Sequence, residues 1–227
     1  MSELLVKYIP NVVELSDEFV SSTLETIYMT LVTAVIAGSI GIILGVILVV
    51  TDWNGIKPHK LIYGTLDKLI NVCRSIPFII MLVAVAPLTR LLVGTMIGTT
   101  ASIVPLVIGT VPFFSRQIQN ALLEVDHGVI EAAQSMGSST LEIIFRVYLR
   151  EGLPAIVRAS ALTIINLIGL TAMAGAVGGG GLGNLAVARG FNRFQNDVTL
   201  VATLIILVLV FMSQALGNYL IKKTDHA

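Results

Sequence analysis

Thr26–Thr51 reads TIYMTLVTAVIAGSIGIILGVILVVT, twenty-six residues without a charge. A helix that crosses a bilayer needs about 20 mostly apolar residues, because each rises about 1.5 Å through a hydrocarbon layer about 30 Å thick. This run is long enough. Three further uncharged runs follow at Leu91–Ser115, Ala159–Ala188 and Val198–Ile221, and a fifth stretch, Leu69–Thr89, is interrupted only by Arg74. They predict five spanning helices at roughly 24–50, 68–89, 96–116, 156–177 and 198–221. Strands of an outer-membrane barrel would alternate polar and apolar residues, and no segment here does so. The reading is an all-α, polytopic membrane protein.

Composition agrees. Of 227 residues, 55% are hydrophobic and 12% charged, about half the roughly 25% charge of a soluble domain, and the mean hydropathy is +0.90. Fourteen basic residues balance fourteen acidic ones, which excludes a basic nucleic-acid binder. The single Cys73 excludes a disulfide framework, and His59, His127 and His226 are too scattered for metal ligation, so no metal site is expected. The N-terminus reads as uncleaved: Glu3, Glu14, Asp17 and Glu18 stand against Lys7 alone, and the first apolar run is too long for a signal segment. No C-terminal lipidation motif is seen.

With five spans the termini lie on opposite sides. One side carries Lys57, Lys60, Lys68, Arg74, Arg116, Arg146, Arg150, Arg158, Lys222 and Lys223, ten in all; the other carries Lys7, Arg90, Arg189 and Arg193. The positive-inside rule makes the richer side cytoplasmic. The N-terminus is expected outside, with the loop at 117–155 and the C-terminus inside.

That loop is the longest stretch between spans. Asp126 can N-cap a short helix through Val129, Ile130, Ala132 and Ala133 to Met136, which Gly137 can end in left-handed geometry. Ser139-Thr140-Leu141-Glu142 has the form of a capping box, opening a second helix with Leu141, Ile144, Phe145 and Tyr148 at helical spacing. Leu153-Pro154 suits the start of the next span. From spacing alone, two short helices joined at a glycine elbow fit either an amphipathic hairpin on the lipid headgroups or a folded docking element.

Glu131-Ala132-Ala133-Gln134-Ser135-Met136-Gly137, followed sixteen residues later by Leu153-Pro154, resembles the EAA loop of ABC-importer permeases. Val147 and Leu149 fit that pattern, while Arg150 stands where many members have a first proline. Asn71 to Ile80, Thr89-Arg90, Val93-Gly94-Thr95, Ala121 to Val125, Gly128 to Ala133 and Ala172 to Gly183 further resemble the methionine subfamily, so that nearly the whole chain is covered. The resemblance implies a type I importer fold with residues 1–227 as one permease domain. It implies a homodimer in a bacterial cytoplasmic membrane, in contact with lipid, served by two cytoplasmic ABC ATPase subunits and an extracytoplasmic methionine-binding protein or lipoprotein. ATP and Mg would be bound by the ATPase and no cofactor by this chain. The expected function is ATP-driven import of D- or L-methionine by alternating access, the alternatives being another amino acid or small polar solute and, remotely, an ion channel or scaffold. Glu131, Ala132, Ala133, Gly137, Leu153 and Pro154 would couple the permease to the ATPase.

Six glycines fall between Gly175 and Gly183, but Gly183 is followed by Asn184 and Leu185 where a P-loop requires Lys and Ser or Thr. Gly178, Gly180, Gly181 and Gly183 fit a close-packed helix end, a flexible outer segment shaping the mouth of the pathway, or both. Arg74 either snorkels to the cytoplasmic interface or lines the pathway, and Pro77, three residues on, kinks the second span. Met173, among small residues, is either a gate or a gap-filler. Gly38, Gly41 and Gly45 predict a tight helix contact on the first span. The spans hold no metal cluster and no Ser/His or paired-Asp dyad, which argues against an intramembrane enzyme.

Overall fold

The computed structural model of the chain describes residues 9–224, and these form helices joined by short turns, with no strand among them. In order the helices are α1 (Pro10–Glu14), α2 (Ser16–Thr51), α3 (Lys60–Ser75), α4 (Phe78–Val93), α5 (Thr99–Leu123), α6 (His127–Ser135), α7 (Thr140–Glu142), α8 (Leu149–Glu151), α9 (Leu153–Ala174), α10 (Gly181–Asn184) and α11 (Asn196–Thr224). Three π-helical segments, Ile143–Tyr148, Gly175–Gly179 and Leu185–Phe191, continue α7, α9 and α10.

Four helical stretches are long and apolar enough to cross a membrane: Ser16–Thr51, Thr99–Leu123, Leu153–Gly179 and Asn196–Thr224. The expected second span is not one helix. It is the pair α3 and α4, which makes a fifth span only if the broken pair counts as one. Pro77 lacks an amide hydrogen and disfavours the helical region for its predecessor; Ile76 is accordingly extended (φ −82°, ψ 122°) and Pro77 caps α4. Pro77 therefore breaks the helix where a kink was expected. Arg74 lies exposed in the last turn of α3, where the helix dipole favours a cation, and not inside an unbroken span.

Helix ends also differ from the apolar runs. α2 begins at Ser16, with Asp17 and Glu18 in its first turn, so at about 1.5 Å per residue it runs well past the bilayer core. α5 continues to Leu123, because Ile118, Ala121 and Leu122 are buried and hold the polar stretch helical. The loop expected from 117 consequently starts only after Leu123.

The chain divides into two compact units. In the unit made of residues through Val35, Pro77–Ile108 and Ile164–Ser213, Phe19, Leu182, Leu185, Val198 and Ala202 form one cluster and Met29, Leu106 and Leu167 another. Polar ties reinforce them: Glu18 accepts from Arg189 at 2.8 and 3.0 Å, and Asn11 donates to Asp197 at 2.9 and 3.0 Å.

The other unit comprises Ile36–Ile76, Gly109–Thr163 and residues from Gln214 onward. Its core joins Val49, Phe114, Ile118 and Leu122 to Ile130, Ala133, Ile143, Tyr148 and Ile156. The close contact expected of the first span is here. A Cβ on Gly41 would come within 2.6 Å of Phe114, and one on Gly45 within 2.6 Å of Ile118, whereas one on Gly38 would meet nothing within 4 Å.

Candidate functional site

The 117–155 segment belongs to the second unit, its first residues closing α5 and the rest forming the loop. Asp126 N-caps α6, its Oδ1 accepting from Gly128 N at 2.7 Å and Val129 N at 3.3 Å. Gly137 ends the helix at φ +82°, with its N–H on the Gln134 carbonyl at 2.9 Å and that of Ser138 on the Ala133 carbonyl at 3.1 Å. The capping box is complete: Glu142 Oε2 accepts from Ser139 N and Oγ, both at 2.9 Å, and Ser139 Oγ accepts from Glu142 N at 3.4 Å. Those bonds from Ser139, the backbone one foremost, hold the Glu142 carboxyl below the usual carboxylate range.

The faces were less legible. Helical spacing grouped Leu141, Ile144, Phe145 and Tyr148, yet Leu141 and Phe145 are exposed while Ile143 and Tyr148 are buried. The π-helical segment is the cause. Its i→i+5 repeat brings Ile143 and Tyr148 onto one face, and burial pushes the Tyr148 hydroxyl pKa up. Ile130, Ala133, Ile143 and Tyr148 all turn into the core of the unit, so this face of the loop is covered by protein.

The residues expected to dock divide accordingly. Glu131, Ala132 and Gly137 are exposed, and Met136 beside them is 79% exposed. Ala133 points the other way, 6% exposed; it underlies this surface rather than forming it, because only a small side chain lets α6 sit so close to its core. Leu153 is exposed at the start of α9, and Pro154 lines a shallow cleft of about 150 Å³ with Glu124, Glu151, Gly152 and Arg158. Met136, Leu141 and Phe145 add an exposed apolar edge.

Sequence reasoning also passed over Arg116. From α5 its guanidinium pairs with Asp67 of α3 and donates to Asn71 Oδ1 at 3.1 Å and Gln119 Oε1 at 2.6 Å. Its side chain is 17% exposed. The available signal was the Asp67/Asn71 pair, one turn apart on the polar face of α3. Arg74, weighed in its place, has no such setting.

In the first unit, the glycine segment is held on both sides. Glu25 Oε2 accepts from Gly181 N at 2.6 Å and Thr26 Oγ1 from Leu182 N at 2.9 Å, while Gly98 N donates to the Gly178 carbonyl at 2.9 Å and Ser102 Oγ to that of Gly179 at 3.3 Å. Gly178, Gly180 and Gly181 take φ of +93°, +80° and +70°, the left-handed region that glycine tolerates. Gly183 packs directly on the Ala172 backbone. This is a close-packed helix end. Met173 is half exposed in the last turn of α9, and a largely apolar cavity of about 190 Å³ lies nearby, lined among others by Leu82, Thr89, Ser102, Ala174 and Val177.

Residues 37–226 match the family model described as binding-protein-dependent transport system inner membrane component. The chain is 44% identical over 211 residues to the probable D-methionine transport system permease protein MetI of Vibrio cholerae, covering 93% of this chain and 94% of that one. It is 45% identical over 219 residues to the methionine import system permease protein MetP of Bacillus subtilis, covering 96% and 98%. Among solved structures, a chain of the MetNI methionine ABC transporter in inward-facing conformations superposes with a TM-score of 0.91 at 39% identity, covering 93% of this chain and 98% of that one.

Proposed function

Because the chain belongs to the family of binding-protein-dependent transport system inner membrane components, and is thus a permease subunit and not itself an enzyme, we propose that it forms the path for methionine in an ATP-driven importer. Residues 1–227 act as one permease domain and pair with a second copy. Two cytoplasmic ATPase subunits bind ATP and Mg, and an extracytoplasmic binding protein delivers the substrate. One relative is named for D-methionine and the other for methionine without a stated hand.

The observation that carries this reading is the exposed rim of the α6 elbow. Glu131, Ala132, Met136 and Gly137 stand on a folded, internally packed loop. Such a rim is rigid enough to be pushed. ATP-driven closure of the ATPase pair presses the two elbows together, and α5 and α9, which flank each loop in sequence, carry the movement into the spans. The path then opens outward to the loaded binding protein, and hydrolysis resets it inward. Leu153 and Pro154 set the angle at which α9 leaves the loop. Met173 is the gate in this scheme, Arg74 and Pro77 border the path where α3 gives way to α4, and Gly178, Gly180, Gly181 and Gly183 form the outer mouth.

Expressed with its ATPase and binding protein in cells lacking their own importer, the chain should confer uptake of labelled methionine. Uptake of another amino acid that methionine fails to compete would overturn the substrate. The orientation has a separate check. Single cysteines at Ser16 and Ser139 in a Cys73→Ser background should label oppositely with an impermeant reagent, Ser16 from outside only, as expected for an external N-terminus and a cytoplasmic loop and C-terminus. Reversed labelling would invert the scheme.

A further inference from the structure

The second unit leaves one amphipathic face uncovered. Around α3, Lys60, Asp67, Asn71, Arg74 and Ser75 share one arc, and Leu61, Ile62, Leu69 and Val72 occupy the opposite side as an exposed stripe. Leu66 and Ile70, between these arcs, turn toward the protein, and Ile70 is buried. A 16-residue helix with four charges is too short and too polar to cross a bilayer. It has the division of faces found in helices that lie along a membrane surface.

The preceding turn adds an aromatic and more charge. Trp53, 62% exposed, has the Lys60 ammonium 4.9 Å from its ring centroid. Lys57, Lys60, Lys68 and Arg74 are all exposed. Of the two acids in this stretch, Asp67 is committed to Arg116, and Asp52 accepts from the Trp53 amide at 2.6 Å. The face is therefore apolar at its centre and cationic at its margins. A second copy meeting it with the same face would set lysine against lysine, whereas an anionic headgroup complements it.

We propose that α3 and Trp53 form a docking surface for anionic phospholipid. The Leu61, Leu69 and Val72 stripe enters the acyl region, Trp53 sits at headgroup depth, and Lys57, Lys60 and Lys68 engage the lipid phosphates. The proposal rests on the chain being a membrane component and not on its substrate, so its failure leaves the transport reading untouched.

Trp53 is the only tryptophan, so its fluorescence reports this site alone. The full-length chain is reconstituted in mixed phosphatidylcholine and phosphatidylglycerol bilayers, with one lipid at a time brominated on its acyl chains. Brominated phosphatidylglycerol should quench Trp53 more strongly at equal mole fraction, corresponding to about fivefold local enrichment. The preference should vanish in Lys57→Gln/Lys60→Gln/Lys68→Gln, fall as salt is raised in the unaltered chain, and survive Lys222→Gln/Lys223→Gln. Equal quenching by the two lipids, no quenching by either, or a preference indifferent to salt would each overturn the proposal.

Discussion

Gly137→Asp is expected to leave the permease inserted at normal abundance and to remove both ATPase retention during purification and methionine uptake, the latter by about thirtyfold or more, as for a contact worth about 2 kcal/mol at an interface centre. The backbone at 137 has φ +82°, where a side chain costs roughly 1–2 kcal/mol, but Asp is among the few residues that visit this region. A Cβ there meets nothing within 4 Å. The fold can accept the substitution; a partner pressed against the elbow cannot, since it meets new bulk and a new negative charge. Gly137→Asn, with similar backbone tolerance and no charge, should be milder. So should Glu131→Lys, which reverses a charge at an exposed position of α6 without altering the backbone. A Gly137→Asp protein that keeps its ATPase and transports at the unaltered rate would refute the docking assignment.

Arg116→Leu is expected to have the largest effect on stability. The guanidinium satisfies Asp67, Asn71 and Gln119 together, and its loss strands a carboxylate whose side chain is only 27% exposed. Breaking a fully buried pair costs about 3–5 kcal/mol; with some water still reaching Asp67, about 2 kcal/mol is expected here. That should lower the thermal unfolding midpoint of the purified permease and its abundance several-fold. Arg116→Leu/Asp67→Leu should recover most of the loss, because no charge is left unpaired. If the single variant unfolds at the unaltered temperature, the pair contributes nothing.

The contrast between these two sites marks how far reading along the chain reaches. The elbow at 137 was legible in detail: the Asp126 cap, the left-handed Gly137 and the Ser139–Glu142 box each depend on hydrogen bonds between residues two to three apart. The apolar runs located the four unbroken spans for a similar reason, since bilayer thickness sets a length that any helix must meet. The break at Pro77 was legible only as a kink, because one residue, Arg74, interrupts the apolar run and hides that α3 is an amphipathic helix of its own.

Which way side chains point was a different matter. Ala132 and Ala133 are identical in sequence, and only the core formed by Val125, Ile143 and Tyr148 decides that Ala133 is inside. Likewise the π-helical segment exchanges the expected Leu141/Phe145 face for Ile143 and Tyr148. Arg116 is the clearest case, since its partner Asp67 lies 49 residues away. Sequence by itself determined the membrane class, the places of the four unbroken spans and the caps of the loop helices, all governed by neighbours within a turn or by the solvent. The inward faces, the Arg116–Asp67 tie and the four bonds that clamp the glycine segment were decided by tertiary structure alone, because each depends on segments that meet only once the helices have packed.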